Sequence, residues 1–395
     1  MFIFKSQKEY ALIDAGNGFK LEKYGEYLIA RPDPQALWPK VVMGLYAGSF
    51  VPSVGSGESL SLKAGSDNLN LWPNIDAVFA KSGNSGGSGR GVDRGQKTSQ
   101  GQQTSQGQRL RDDSAHSDEE GDTGNWIKTR TIPERWPVKF EMGGDLPALN
   151  IYARLTPFKH TGIFPEQFTN WKWSMDLIKE SLDESGGRVK KFSKESPPKI
   201  LNLFGYSGAA TIACLLAGAH VTHVDSSKGA ITWANENAEI AGVKDAPVRW
   251  ILEDAVSFIK KEVRRGNKYD GIILDPPAFG RGAKGEVWKI EKDFLPFLEL
   301  IFELLSDDAL FLILNGYAAG YSSIAYAQNL QSLTAVRGGV VEHGELCIEQ
   351  DLGGFEKLIG DKSSGKMGDG MRDRIAATMP AILLPCGIVA RWKCA

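Results

Sequence analysis

The chain has 395 residues, more than one hydrophobic core usually fills, so a domain of typical size plus a second module is the starting expectation. Hydrophobic residues make up 42% and charged residues 24%, ordinary usage for a folded chain, which excludes bulk disorder. A formal net charge of -2 advertises no polyanionic partner, although a local basic groove fits inside a balanced total.

The start, MFIFKSQKEY, lacks the apolar stretch of a signal peptide, and no later run approaches the ~20 apolar residues that span a bilayer. A cytoplasmic location is expected. To about Ala80 the chain shows short apolar and aromatic runs broken by GNG, RPDP, WP and SGES, the pattern of strands and turns. Residues 81–125 then change to Gly, Ser, Gln, Asp and Arg, a composition that cannot offset its chain entropy by burial and is expected to be a disordered insertion. Strand-like sequence resumes at Trp126 and completes a β-rich module over residues 1–157.

From Lys199 the period changes. KILNLFG reads as a strand, TIACLLAGA as a helix, HVTHVDSS as a strand and SKGAITWANENAEIAGV as a helix. The alternation continues through PVRWILED, AVSFIKKEVRR, YDGIILDPP, WKIEKDFLPFLELIFELL and ALFLILN. Strands alternating with helices of this length mean βαβ units and a parallel sheet. Two late strand candidates, VVEHGELCIEQ and PAILLPCGIVARW, predict an antiparallel pair at one edge, with an inserted loop between them at 353–377. The expected fold is α/β: a Rossmann-like, seven-stranded, mostly parallel sheet over residues 158–395, beside the β-rich module.

Four places at strand ends carry chemistry. The first turn, NLFGYSG, sets Gly205 and Gly208 between a strand and a helix, where glycines let the backbone approach a ligand and present amide N–H groups. Asp225, 20 residues after Gly205, ends the second strand beside Ser226, where a carboxylate accepts from ribose hydroxyls or caps the following helix. Asp254 in ILEDA is placed for an adenine contact or for capping AVSFIKK. DPPAFGRG follows the fourth strand. Its paired prolines make a stiff extended loop that holds Asp275 and the Pro276 carbonyl as acceptors beside the Phe279 ring.

Taken together, these features resemble the class I S-adenosylmethionine-dependent methyltransferases. The branch it most resembles contains the large-subunit ribosomal RNA methyltransferases, with F-x-Y-[ST]-G after the first strand and DPP-x-F after the fourth. The matches are Phe204, Tyr206, Ser207 and Gly208, and Asp275 to Phe279, within a resemblance that covers about Phe158 to Trp392. It implies S-adenosyl-L-methionine as cofactor, held by Phe204 to Gly208, Asp225, Ser226, Asp254 and Asp275, with Asp275, Pro276 and Phe279 at the acceptor. In that branch a segment before the first strand meets the methionine end. Here it is HTGIFPEQFTNW, whose Glu166 and Gln167 stand where related enzymes show D-x-R.

The acceptor follows less directly. A DPP loop suits a nitrogen, whose N–H groups donate to Asp275 and the Pro276 carbonyl while Phe279 stacks on a flipped base. A cytosine C5 acceptor needs a cysteine nucleophile, which the branch places after the fifth strand. This chain has LNGYAAGYSS there, and its four cysteines, at 214, 347, 386 and 394, show no CxxC spacing, so no metal site is expected either. His160 before FPEQ, and Arg281 and Lys284 beside DPPAFG, are further candidates for touching ligand or phosphate. The expected activity is methyl transfer to a base nitrogen of ribosomal RNA, with guanine favoured. A protein or small-molecule methyltransferase, a nicotinamide-dependent oxidoreductase on the same sheet and a non-catalytic binding module remain alternatives.

Overall fold

The computed structural model describes residues 1–40, 72, 74–81, 123–183, 192–281, 287–317, 320–354 and 381–395. The expected insertion at 81–125 and loop at 353–377 lie almost wholly outside the described residues, as do Lys284 and the side chain of Arg281.

After β1 (Phe2–Phe4), strands β2 (Tyr10–Gly16), β3 (Phe19–Tyr24), β4 (Tyr27–Pro32), β5 (Ala77–Lys81) and β6 (Gly124–Lys128) form a five-stranded sheet in that order. A separate antiparallel pair follows, β7 (Trp136–Phe140) and β8 (Leu149–Ala153). A 3-10 turn, Pro165–Gln167, leads into α1 (Phe168–Leu182). The alternating part is β9 (Lys199–Leu203), α2 (Ala209–Leu216), β10 (His220–Asp225), α3 (Lys228–Ile240), β11 (Val248–Leu252), α4 (Ala255–Arg264) and β12 (Gly271–Leu274). A short hairpin, β13 (Phe279–Arg281) and β14 (Val287–Lys289), precedes α5 (Ile290–Leu304), β15 (Phe311–Gly316), α6 (Ser323–Arg337), β16 (Val340–Glu349) and β17 (Leu383–Lys393).

The main sheet has eight strands in the order β1-β16-β17-β15-β12-β9-β10-β11. Its inner strands are largely apolar because both faces are covered, with a few buried polar residues such as Asn202 and His223, and successive residues face opposite layers. Ile200, Ile273, Phe311 and Ile313 join the core on one face, with α1 and α2. Leu201, Leu203, Ile272, Leu274, Leu312 and Leu314 join the other, with α4, α5 and α6.

Two expectations are corrected. The sheet has an eighth strand, since Phe2 to Phe4 pair in parallel with Leu346 to Ile348. The two late strands do pair antiparallel with each other, but not as the edge of the sheet: β17 alone runs against the rest, inserted between β15 and β16, and β1 takes the edge. The apolar cluster that holds Ile200 and Phe311 also contains Phe4, Tyr10, Tyr24 and Phe140, so no break in the core coincides with residue 157. The β-rich part packs into the α/β half of the molecule through a shared interior.

Candidate active site

β9 lies between β10 and β12, yet the chain reaches β12 only after β10 and β11 have been laid on the other side. At such a reversal the connecting helices diverge and leave a crevice at the carboxyl ends of the strands, where doubly wound sheets bind ligands. A cleft of about 1210 Å³ opens here. Small-molecule pockets commonly span roughly 300–1,000 Å³, so it has room for two reactants.

The glycine turn after β9 forms one wall. Phe204, Tyr206 and Gly208 have φ of 58°, 46° and 84°, the left-handed region, which is costly for the two aromatic residues and persists only where surroundings enforce it. Here Gly205 N donates to the Val224 carbonyl at 3.1 Å and Tyr206 N to Asp225 Oδ2 at 2.8 Å. Ser207 Oγ donates to the Gly162 carbonyl at 2.6 Å, and Asn237 Nδ2 donates to the Ser207 carbonyl at 2.8 Å. A side chain at position 205 has no space, since a Cβ would lie 2.4 Å from Cε1 of His223 beneath the turn. The expected offering of amides is therefore modified. Those of Gly205, Tyr206 and Gly208 are engaged within the protein, and the glycines serve close approach instead.

Asp225 is buried and faces the cleft. Each carboxylate oxygen accepts one backbone N–H, Oδ2 from Tyr206 and Oδ1 from Ser227, both at 2.8 Å. That leaves each a second lone pair, a donor-acceptor match for two vicinal hydroxyls. The helix cap at this point is Ser227, whose side chain accepts from Ala230 N. Asp254 does cap α4, accepting from Ser257 N at 2.8 Å, and lines the cleft as well.

Across the switch point, Asp275 to Gly280 line the cleft. Trp288 Nε1 donates to the Pro277 carbonyl at 2.6 Å and Ile290 N to the Ala278 carbonyl at 3.1 Å, so β14 and the start of α5 fix the proline loop. Phe204, Trp288 and Phe297 pack as a ring cluster behind it.

Gln167, Phe204, Gly205, Tyr206, Ser207, Asp225, Ser226, Asp254, Asp275, Pro276 and Phe279 are thus brought to one cleft. Glu166 and Gly208 are not among its lining residues. Gly208 is the N-cap of α2, and Glu166 turns into the interior, where Tyr317 OH donates to its Oε1 at 3.1 Å. Burial raises its carboxyl, against the pull of Lys20 and Arg31.

Comparison with known proteins matches a family described as Conserved hypothetical protein 95 over residues 175–293. A solved S-adenosylmethionine-dependent methyltransferase from Agrobacterium tumefaciens is 32% identical, aligning over 99% of this chain and 93% of its own with a TM-score of 0.68. The chain belongs to the S-adenosylmethionine-dependent methyltransferases.

Curated relatives match over shorter stretches. The ribosomal RNA large subunit methyltransferase K/L of Shewanella frigidimarina is 26% identical over 226 residues, 57% of this chain and 27% of the relative. The ribosomal RNA large subunit methyltransferase I of Aeromonas salmonicida is 30% identical over 132 residues, 33% of either chain. The chain therefore spans about a quarter to a third of the length of these relatives.

The cofactor of the methyltransferase is S-adenosyl-L-methionine, and the acceptor oxygens of Asp225 fit its ribose hydroxyls. Sequence reasoning missed several residues of the cleft. Trp233 on α3, Phe164, Asn170, Asn315 and Tyr317 all line it. Tyr317 carried a signal, standing just beyond the fifth strand of the alternating series, and Asn315 ends that strand. Arg154 and Glu134, from the β-rich half, gave none, because only the fold brings them to the cleft. His160 lines it too, its ring 5.7 Å from that of Phe164. None of the four cysteines does, and burial pushes the Cys214 thiol up to about 12.

Proposed function

We propose that this methyltransferase transfers a methyl group to a nitrogen of an RNA base, with a guanine of ribosomal RNA the favoured acceptor. One observation carries the reading: a single cleft has a ribose-type carboxylate at one end and a rigid Asp275–Phe279 loop at the other, across the switch point of the sheet. The ribosomal RNA methyltransferases it resembles supply the substrate class.

Asp225 and Ser226 would hold the ribose, Asp254 the adenine, and Gln167 and the Phe204–Ser207 turn the remainder of the cofactor. S-adenosyl-L-methionine supplies a methyl group already activated by its sulfonium charge. The protein must therefore align the acceptor lone pair and exclude water, and positioning alone supplies up to ~7–11 kcal/mol of barrier lowering. Asp275 and the Pro276 carbonyl would accept the N–H groups of an amine, or the Asp275 carboxylate would offset the positive charge that develops on a ring nitrogen. Phe279 would stack on the base. The absence of a cysteine from the cleft supports nitrogen over cytosine C5.

The test is methyl transfer from a radiolabelled donor to unfractionated ribosomal RNA from a gene-deleted strain. Label is expected in the RNA, and Asp275→Ala is expected to lower turnover on the order of a hundred- to thousandfold while cofactor binding survives. Label in protein or small-molecule fractions alone would overturn the substrate. Transfer by Asp275→Ala at the unmutated rate would move the acceptor site elsewhere.

A further inference from the structure

Tyr317 lies in the cleft but belongs to no motif. Leu274 and Leu314 are register partners at the parallel ends of β12 and β15, so Asp275 and Asn315 emerge level on neighbouring strands, with Tyr317 two residues on. The tyrosine thus stands on the β15 side of the acceptor carboxylate. The residue is 37% exposed while the groups that hold its hydroxyl, Glu166 and Gln167, are buried. Gln167 Nε2 donates to the phenol oxygen at 2.7 Å, and the phenol donates to Glu166 Oε1 at 3.1 Å. Behind them, Asn170 Nδ2 donates to Gln167 Oε1 at 2.8 Å and to Asn315 Oδ1 at 3.0 Å, and Arg391 Nη1 donates to Asn170 Oδ1 at 3.3 Å.

The far side of the ring is also shaped. A Cβ on Gly387 of β17 would lie 2.9 Å from Cε1 of Tyr317, so this glycine makes the space in which the ring sits. The Phe164 ring stands 5.8 Å away and itself meets Tyr206 at 5.9 Å, continuing an aromatic wall from the glycine turn. A ring tied at its polar tip, backed by glycine and left bare on a cleft is built as a stacking platform rather than as core filling. Withdrawal from water, together with the Glu166 and Asp275 carboxylates, holds the phenol well above its ordinary pKa, so it stays a donor to Glu166 at neutral pH.

We propose that Tyr317 is a second aromatic contact for the acceptor base, beside Phe279, and that Glu166 and Gln167 are positioning residues that aim it. This rests on the base-acceptor reading above. It also explains why Glu166, expected at the cofactor, faces inward.

The experiment compares Tyr317→Ala, Tyr317→Phe, Glu166→Gln and Gly387→Ala with the unmutated protein, reading KM and kcat for ribosomal RNA and, separately, the cofactor Kd by calorimetry. Tyr317→Ala is expected to raise the RNA KM at least tenfold with the cofactor Kd within twofold. Tyr317→Phe keeps the ring but loses both hydrogen bonds that aim it, and should raise KM several-fold, less than Tyr317→Ala does. Glu166→Gln and Gly387→Ala leave the tyrosine in place but disturb its aim, and should raise KM several-fold even where Tyr317→Ala folds poorly. An RNA KM within twofold for Tyr317→Ala overturns the inference. So does a cofactor Kd weakened tenfold, which would give the ring to the methionine end. An unmutated protein that methylates no RNA removes the base-acceptor reading and this inference with it, whereas activity with unchanged KM across the variants removes the inference alone.

Discussion

Asp225 serves two partners with the same two oxygens. Its bonds to Tyr206 N and Ser227 N support a turn with two aromatic residues in the left-handed region, and the residue lines the cleft. Asp225→Ala is therefore expected to weaken cofactor affinity by roughly 1–3 kcal/mol, measured by calorimetry, with part of the loss coming from a loosened turn. Unchanged affinity would mean that the ribose lies elsewhere. His223, directly beneath Gly205, adds a pH dependence. It is fully buried, its Nδ1 is 2.8 Å from Thr211 Oγ1, and its Nε2 has no hydrogen-bond partner among the described residues. Burial holds its pKa down to about 3, against about 6.5 in an unfolded chain. The unfolded state thus binds the extra proton, so the contribution is complete above pH ~6.5 and is lost as pH falls towards 3, by up to ~1.4 kcal/mol per unit. Chemical denaturation between pH 7 and 5 should show this slope, and His223→Gln should flatten it; an equal slope in both proteins would contradict the assignment.

At the scale of elements, the β3–β4 pair carries a buried charge cluster. Glu22, wholly buried, accepts from Arg31 Nε at 2.6 Å and from Tyr10 OH at 2.7 Å, while Lys20 pairs with Asp33 at 3.1 Å. Burial alone would raise the Glu22 carboxyl, but Arg31, Lys20 and the hydrogen bonds override it and hold it at about 2. Removing that charge leaves the buried Arg31 without its carboxylate, while Lys20 keeps Asp33, so Glu22→Gln is expected to destabilise the protein by ~3–5 kcal/mol in denaturant titrations. A change under 1 kcal/mol would mean that water reaches the cluster. The strands holding these charges were legible only as turn-punctuated apolar runs, because a buried Lys–Glu–Arg–Asp set reads like a solvated surface until its partners are known. The βα units were far plainer: β9 to β12 and their helices repeat their periodicity locally, and the motif residues sit at their ends. α6 went unmarked because its apolar residues form no clear stripe, and α1 because only its opening residues were read, as a cofactor segment.

Across the whole molecule, what the sequence could not show was non-local. β1 pairs with a strand more than 300 residues later, and β17 inserts between two others; neither follows from periodicity, which reports one element at a time. The same limit hid Glu166, since D-x-R-like spacing placed it at the cofactor while the packing of β-rich part, α1 and β15 turns it towards Tyr317. The proposed methyl transfer to a base nitrogen of ribosomal RNA, with Asp275 at the acceptor, is tested most directly by nucleoside mass spectrometry. Ribosomal RNA would be compared from cells with the gene, without it, and carrying Asp275→Ala. One N-methylated nucleoside should be lost with the gene, restored by the unmutated copy and not by Asp275→Ala; identical nucleoside profiles in all strains, or loss of a 2′-O-methyl or C5-methyl mark instead, would contradict the proposal.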